Sequence, residues 1–261
     1  MLDVVICGIA GKMGTLVRQN LSIHPEISCI GGVDVQPVPG AATLTVVTDL
    51  KEIVESGDVV VDFSTPESTI QCLGPCVEHK RALLIGTTGF SESQQESIET
   101  ASETIPILQS SNYAIGVMLL KRFVTWASRV MGESYDAEII EWHNRYKTDA
   151  PSGTALSLAE CIATERGRML SDVMRNGRTT DSPRQPGEIT MHAIRAGNKI
   201  SDHDVSFIGE HESISLVQHT FSRQVYMEGI LMAIGFVADQ SPGLYSLDDV
   251  LDQRYQLPPL A

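Results

Sequence analysis

The chain has 261 residues, 42% of them hydrophobic, and a formal net charge of −14 at pH 7. This composition is ordinary for a globular protein and leaves room for one large domain or two modest ones. The acidic balance argues against nucleic acid as a partner, because phosphate binding needs a basic face. The N-terminal stretch MLDVVICGIAGKMG lacks the features of a signal peptide, and no apolar run approaches the roughly 18 residues of a membrane helix. We therefore expect a cytoplasmic protein with neither a nucleic acid nor a membrane as partner.

The five cysteines are odd in number, scattered, and embedded in apolar segments. This pattern predicts buried, reduced thiols and not a disulfide framework. Cys72 and Cys76 would lie one helical turn apart, but no His or Cys near them in the sequence completes a zinc set. No metal is predicted.

The first 113 residues alternate short apolar runs with helical patterns. Strands are predicted at 3–8, 27–34, 59–64, 82–89 and 105–112, and helices at 12–24, 49–56, 66–79 and 91–103. Near-continuous apolar strands between helices indicate a parallel sheet covered on both faces. Right-handed crossovers then give a Rossmann-like, doubly wound α/β fold, which binds ligands outside the carboxyl ends of its strands.

After Tyr113 the pattern changes. A long apolar helix is predicted at 114–131, strands at 135–143, 187–197, 204–209 and 213–221, and a closing helix at 223–239. The clearer alternation in these strands predicts a C-terminal α+β domain with an open mixed sheet. The polar stretch 166–187 is expected to be an exposed, mobile loop. We expect a dinucleotide-binding domain of residues 1–113 and 224–261, and a substrate domain of residues 114–223.

A glycine-rich turn follows the first predicted strand. In CGIAGKMG, Gly8, Gly11 and Gly14 let the backbone approach a pyrophosphate at the start of a helix. The spacing is not the commonest dinucleotide fingerprint, but Asp34 closes the second strand and could accept hydrogen bonds from the adenosine ribose. The alternative interpretation is a plain glycine turn beside a solvated aspartate.

Small polar groups also follow two later strands, in GTTG (86–89) and SSNY (110–113). Their hydroxyls and amides would converge on the same crevice and could hold a nicotinamide and its ribose. Each stretch by itself is more typical of an ordinary turn.

The segment EWHNRYKTDAPSGTA (141–155) concentrates chemical groups between a predicted strand and a predicted helix. His143 and Lys147 can both donate protons. Ser152 begins the helix, whose free amides can capture an anion, although a plain helix cap would look the same. Together these groups indicate hydride transfer to a small anionic substrate, with proton delivery by the second domain.

This segment resembles the signature of the 4-hydroxy-tetrahydrodipicolinate reductase family, also called dihydrodipicolinate reductases, of the diaminopimelate route to lysine. That signature reads Glu-x-His-His-Arg-x-Lys-x-Asp-x-Pro-Ser-Gly-Thr-Ala, and the chain departs from it at Asn144, where the family has a second His. The likeness extends through GIAGKMG, VDFSTPE, GTTGF, SSNYAIGV and IRAGNKISDH, and so covers nearly the whole chain.

The resemblance implies reduction of 4-hydroxy-tetrahydrodipicolinate, via dihydrodipicolinate, to tetrahydrodipicolinate with NAD(P)H, by a homotetramer assembled through the open sheet. It implies His143 as proton donor and acceptor, Lys147 as proton donor, and Gly153 and Thr154 as the substrate-carboxylate site. Asn144 is expected to make a neutral contact to a substrate carboxylate. The cofactor contacts implied by position are Gly8, Ile9, Ala10, Gly11, Lys12 and Met13 at the pyrophosphate, Asp34 at the ribose, Gly86, Thr87, Thr88, Ser110, Ser111, Asn112 and Tyr113 at the nicotinamide side, and Arg223.

The choice of dinucleotide can be read at the end of the second strand. No Arg or Lys follows Asp34 in DVQP, and the carboxylate would repel a 2′-phosphate. Lys12 is the one cation that could compensate, so we expect use of both NADH and NADPH with NADH favoured. Two other functions stay open: another two-domain oxidoreductase acting on an imine or amino acid, and a catalytically silent dinucleotide sensor.

Overall fold

The computed structural model describes residues 1–40 and 44–256. This part of the chain divides into two compact units: unit 1 comprises residues 1–113 and those from Tyr226 onward, and unit 2 comprises Ala114–Val225. Within these ranges no helix has both the length and the apolar character needed to cross a bilayer. All five cysteines are free, and Cys7, Cys72 and Cys76 are buried.

Twelve strands and eight helices are described. The strands are β1 (Leu2–Cys7), β2 (Ile27–Val33), β3 (Thr45–Val47), β4 (Val59–Asp62), β5 (Ala82–Ile85), β6 (Pro106–Gln109), β7 (Asp136–His143), β8 (Met174–Asn176), β9 (Ile189–Arg195), β10 (Ser201–Ile208), β11 (Ser213–Thr220) and β12 (Gly243–Tyr245). The helices are α1 (Lys12–Leu21), α2 (Pro66–His79), α3 (Glu92–Ser102), α4 (Ile115–Met131), α5 (Gly153–Glu165), α6 (Leu170–Val173), α7 (Val225–Ala238) and α8 (Leu247–Tyr255).

Unit 1 contains a seven-stranded sheet in the order β12-β6-β5-β4-β1-β2-β3, and every neighbouring pair is parallel. Strands β4 and β5 are buried along their whole length, which explains why their residues are apolar except for Asp62 at the end of β4. Thr65 caps α2 with Pro66 at its first position, and a Ser91–Gln94 capping box starts α3. The predicted doubly wound parallel sheet is confirmed.

Several details of unit 1 differ from the sequence-based expectation, and helix α8 is one element that was not predicted. The helix predicted at 49–56 is instead a pair of 3-10 turns, Leu50–Glu52 and Val54–Ser56. So short a segment forms isolated turns because nucleating a helix costs more than a few hydrogen bonds return. Strands β3 and β12 were not predicted, since three-residue edge strands depend on the neighbouring strand more than on their own sequence.

Unit 2 contains a mixed five-stranded sheet in the order β11-β10-β7-β9-β8. Strand β10 runs antiparallel to β7 and β11, whereas β9 runs parallel to β7 and β8. Along β7, Ala137, Ile139, Glu141 and His143 are buried and alternate with partly exposed residues. The predicted mixed sheet is therefore confirmed, and its buried face carries two ionisable groups at the end of the central strand.

The stretch 166–187, predicted to be a mobile loop, holds regular structure. It contains α6, in which Val173 is 5% exposed, and the edge strand β8, which pairs with β9. The expectation of a loop was wrong for residues 170–176, where Val173 lies in the core of unit 2 and Leu170 and Met174 pack against it. Most of the remaining residues of the stretch are exposed or partly exposed, as its polar composition predicts.

Two glycines in α7 provide a matched test of how closely this helix packs within unit 1. A Cβ at Gly229 would lie 2.0 Å from the carbonyl oxygen of Tyr113, whereas a Cβ at Gly235 would meet nothing within 4 Å. We expect Gly229→Ala to lower the free energy of unfolding by about 1–3 kcal/mol through overpacking. Gly235→Ala should raise it by about 1 kcal/mol through helix propensity. Urea unfolding of both variants measures this, and equal effects would contradict the close approach at Gly229.

Candidate active site

The glycine loop of unit 1 is folded tightly against the start of α1. Gly8 has φ +76°, and a Cβ at Gly14 would lie 2.1 Å from the Gly8 carbonyl oxygen. The amides of Gly8 and Ile9 donate to Val33, and that of Gly11 donates to Gly8. Gly11 caps α1 without a side-chain acceptor, so the amides of Lys12 and Met13 begin the helix uncapped. These first-turn amides are suited to an anion such as a pyrophosphate.

Asp34 lies beside this loop. Its Oδ2 accepts from the Ala10 amide at 2.9 Å, and its Oδ1 accepts from the Gln36 amide at 2.9 Å. The Ala10 amide, expected at a pyrophosphate, is thus used within the protein. Each Asp34 oxygen keeps a second lone pair with which a ribose hydroxyl could bond.

The GTTG turn after β5 is organised by a buried acid that sequence reasoning missed. Asp62, fully buried at the end of β4, accepts hydrogen bonds from the hydroxyls of Ser64, Thr69 and Thr87, at 2.5 Å for Thr69 and 2.7 Å for Thr87. Burial raises the pKa of the Asp62 carboxyl, and the three hydroxyls oppose that shift in part. The side chain of Thr87 therefore fixes the turn, while neighbouring Thr88 is exposed.

Phe63 and Tyr113 support the same edge of the sheet. A Cβ at Gly86 would lie 1.9 Å from the Phe63 ring, so only glycine allows this ring to close over the turn. Tyr113 packs edge-on against Phe63 and donates its hydroxyl to the Ile85 carbonyl at 2.8 Å. The hydroxyl hydrogen of Tyr113 is therefore used in a hydrogen bond within the protein and not left for a ligand. Next to it, Ser110 donates to the Asn112 carbonyl at 2.7 Å, and Ser111 is exposed.

In unit 2, Glu141 connects the two halves of the signature segment. Its carboxylate is fully buried and accepts from Nδ1 of His143, from the Ser152 amide at 3.1 Å, and from both terminal nitrogens of Arg195 at 2.7 and 3.0 Å. Burial alone would raise the pKa of Glu141, but the hydrogen bonds from His143 and Arg195 outweigh it and lower the pKa to about 2. The group is thus a carboxylate throughout the physiological pH range.

The loop between β7 and α5 presents Lys147 and Asn144. Lys147 Nζ lies 2.7 Å from both carboxylate oxygens of Asp149, which lowers the pKa of that aspartate. Asn144 Oδ1 accepts from the Tyr146 amide at 3.0 Å. This local turn uses the amide oxygen of Asn144 and leaves its NH₂ group as the part that could meet a ligand.

Helix α5 follows this loop in the chain and begins at Gly153. Ser152 is buried and its hydroxyl caps the helix by accepting from the Ala155 amide at 3.2 Å. Exposed Gly153 and partly buried Thr154 form the first turn. The structure therefore brings His143 and the start of α5 together at the carboxylate of Glu141. Arg195 connects that carboxylate to the carbonyl of Asp149, in the loop that carries Lys147. Arg223, exposed beyond β11, lies near the end of unit 2.

His203 also lies beside Glu141 and was not predicted as a site residue, although it is the last residue of the family-like stretch IRAGNKISDH. It lies opposite Glu141 in the β7–β10 register, and its ring meets that of His143 edge-on with centroids 5.6 Å apart. Burial, reinforced by the neighbouring charge of His143, lowers the pKa of His203 to about 4. His203 is therefore neutral at physiological pH.

Glu141, His143 and His203 also form a set of three possible metal ligands. Both oxygens of Glu141, however, already accept from the guanidinium of Arg195, which a bound cation would have to displace. The donor set fits an internal ion pair better than a metal centre.

Two family models match the chain: "Dihydrodipicolinate reductase, N-terminus" over residues 2–113 and "Dihydrodipicolinate reductase, C-terminus" over residues 116–251. The chain is 40% identical to the 4-hydroxy-tetrahydrodipicolinate reductase of Alkaliphilus oremlandii, over 96% of this chain and 99% of that protein. It is also 40% identical to the enzyme of the same name from Rubrobacter xylanophilus, over 96% of this chain and 98% of that one. A solved dipicolinate-bound dihydrodipicolinate reductase from Paenisporosarcina sp. TG-14 superposes with a TM-score of 0.80 at 25% identity, over 96% of this chain and all of that one.

The lowered pKa of His203 makes the stability of unit 2 sensitive to acid. An unfolded histidine takes up a proton near pH 6.5 and the folded one near pH 4, so falling pH favours unfolding across this window. We expect wild-type protein to lose about 2 kcal/mol between pH 7 and pH 5 through this residue. Urea unfolding of His203→Gln should lack that loss. His211→Gln, at an exposed histidine, should retain it, and the same pH dependence in all three proteins would contradict the assignment.

Proposed function

The chain belongs to the dihydrodipicolinate reductase family, and from that premise we propose that it reduces 4-hydroxy-tetrahydrodipicolinate, via dihydrodipicolinate, to tetrahydrodipicolinate with NAD(P)H, a step of diaminopimelate and lysine biosynthesis. The observation that carries the proposal is the segment from His143 to the first turn of α5, which Glu141 and Arg195 hold together and which combines proton donors with an anion site. The dipicolinate bound to the related structure is a ring dicarboxylate of the same kind as this substrate.

The nicotinamide dinucleotide would be held by unit 1. The uncapped start of α1 suits its pyrophosphate, the free lone pairs of Asp34 suit a ribose, and exposed Thr88 and Ser111 suit the nicotinamide side. When bound as the reduced form, this cofactor supplies the hydride.

Each group of unit 2 has a role in the proposed chemistry. Amides of Gly153 and Thr154 would bind one carboxylate of the substrate, and the NH₂ group of Asn144 would make a neutral contact to it. Hydride arrival at a conjugated imine leaves an electron-rich enamine, which must be protonated. Lys147, whose Nζ lies 2.7 Å from both oxygens of Asp149, would donate that proton, and His143 would polarise the substrate or relay a proton. Fixed donors of this kind contribute several kcal/mol to lowering a barrier.

The direct test follows nicotinamide absorbance with freshly generated substrate. Steady oxidation of NADH above a buffer blank is expected. Binding of NADH without any turnover would refute the proposed reductase and favour the dinucleotide sensor. Turnover of other imines or of amino acids, without turnover of this substrate, would favour the other oxidoreductase.

Removal of either proton-transfer group should lower kcat much more than it weakens binding of NADH. We expect Lys147→Ala and His143→Ala each to lower kcat by about a hundredfold or more. The NADH dissociation constant should stay within a factor of about two, because both residues belong to unit 2. Lys121→Ala, on α4 of the same unit, is the control and should keep the wild-type kcat. Near wild-type kcat in both variants would show that the assignment of proton donors is mistaken.

The preference between dinucleotides depends on charge near Asp34. Its carboxylate faces the glycine loop, and Lys12 is exposed at the first position of α1. We propose use of both cofactors with a higher kcat/KM for NADH. Lys12→Ala should reduce kcat/KM for NADPH more than for NADH, because only NADPH carries a 2′-phosphate. A wild-type preference for NADPH in the same assay would contradict this reading.

The assembly and location follow from family membership as further parts of the proposal. We propose a homotetramer formed through the open face of the unit 2 sheet, where Trp142 and Ile194 are neighbours in register and Ile194 and Val217 are 37% and 49% exposed. Five free cysteines are compatible with a reducing cytoplasm.

A further inference from the structure

We propose that Glu141 and Arg195 are positioning residues of the reaction: their buried ion pair holds the His143 ring and the first turn of α5 in one fixed arrangement. The inference rests on the proposed function, because it gives these two residues a part in proton transfer and in binding the dicarboxylate. Neither residue needs to touch the substrate to perform it.

The two oxygens of Glu141 divide the task. Oε2 accepts from His143 Nδ1 at the end of β7, whereas Oε1 accepts from the Ser152 amide immediately before α5. Arg195 donates to both oxygens, and its Nη2 also donates to the Asp149 carbonyl at 2.7 Å, two residues from Lys147. One carboxylate and one guanidinium thus fix the strand end, the lysine loop and the helix start relative to one another.

The contact to His143 also selects which ring nitrogen can act. With Nδ1 engaged by Glu141, proton exchange with a ligand falls to Nε2. Arg195 lies opposite His143 in the β7–β9 register, so the sheet itself brings the guanidinium into place. A fixed ring matters because a displacement of about 1 Å at a catalytic group can cost a hundredfold in rate.

The same strand offers a matched control. Glu138 on β7 also bonds an arginine and a histidine, through Arg184 Nη1 and His192 Nε2, the latter at 2.8 Å. Glu138 lies three positions before Glu141 on the strand, an odd spacing, so it points to the opposite face of the sheet, away from His143. Glu138→Gln therefore removes a carboxylate of similar chemistry without touching the cluster.

A double-mutant cycle on kcat separates positioning from general support of the fold. Glu141→Gln should lower kcat about tenfold or more in the wild-type background, because the amide cannot hold both neighbours as the carboxylate does. In the His143→Ala background the same change should lower kcat less than about threefold, since the ring it positions is gone. Arg195→Lys, which keeps the charge but loses the fork, should raise KM for the substrate and weaken binding of dipicolinate. Glu138→Gln should leave these constants within about twofold.

NADH dissociation constants and melting temperatures are measured alongside. If Glu141→Gln does not fold, the cycle of Arg195→Lys with His143→Ala supplies the same comparison. Equal fold-losses in both backgrounds, or an unchanged kcat, would overturn the positioning role while leaving the proposed function intact. A wild-type enzyme without turnover would overturn the proposed function and the inference together.

Discussion

A carboxylate cannot remain charged inside a protein unless partners replace its water, and the signature segment of unit 2 is arranged around a carboxylate of this kind. Glu141 is fully buried, and its four hydrogen bonds come from the strand end, the helix start and the adjacent strand. The hydrogen bonds that stabilise the buried charge of Glu141 therefore determine where His143 and the start of α5 lie. Positional accuracy at the site follows from the electrostatics of the core.

Unit 1 also contains a buried acid, Asp62, but its hydrogen-bond partners are neutral. Asp62 is buried as completely as Glu141, but its oxygens accept from three hydroxyls and from no cation. The pKa of Asp62 is raised by burial, whereas that of Glu141 is lowered by its cationic neighbours. In both units an acid at the end of a central strand ties together the turns that follow the strands. Unit 1 achieves this without a cation bonded to the buried acid.

Several polar groups that the sequence suggests as ligand contacts instead form hydrogen bonds within the protein. The Thr87 hydroxyl bonds Asp62, the Tyr113 hydroxyl bonds a carbonyl, and the Ala10 amide bonds Asp34. These internal bonds leave the groups beside them, such as Thr88 and the amides of Lys12 and Met13, to meet a ligand. Motif residues therefore divide into those whose polar groups stabilise the fold and those whose polar groups are left for the proposed ligands.

The sequence by itself determined both sheets, the glycine loop and the grouping of His143 with Lys147, because these depend on periodicity and on residues close together in the chain. It could not reveal Arg195 or His203 beside Glu141, since only the pairing of β7 with β9 and β10 brings residues more than fifty positions apart into register. Nor could it show the buried state of Asp62 or the short edge strands β3 and β12. Local patterns record which face of an element is apolar, whereas strand register and shared burial are properties of the assembled sheet. Tertiary structure therefore decided which acids are buried and which cations and hydroxyls stabilise them.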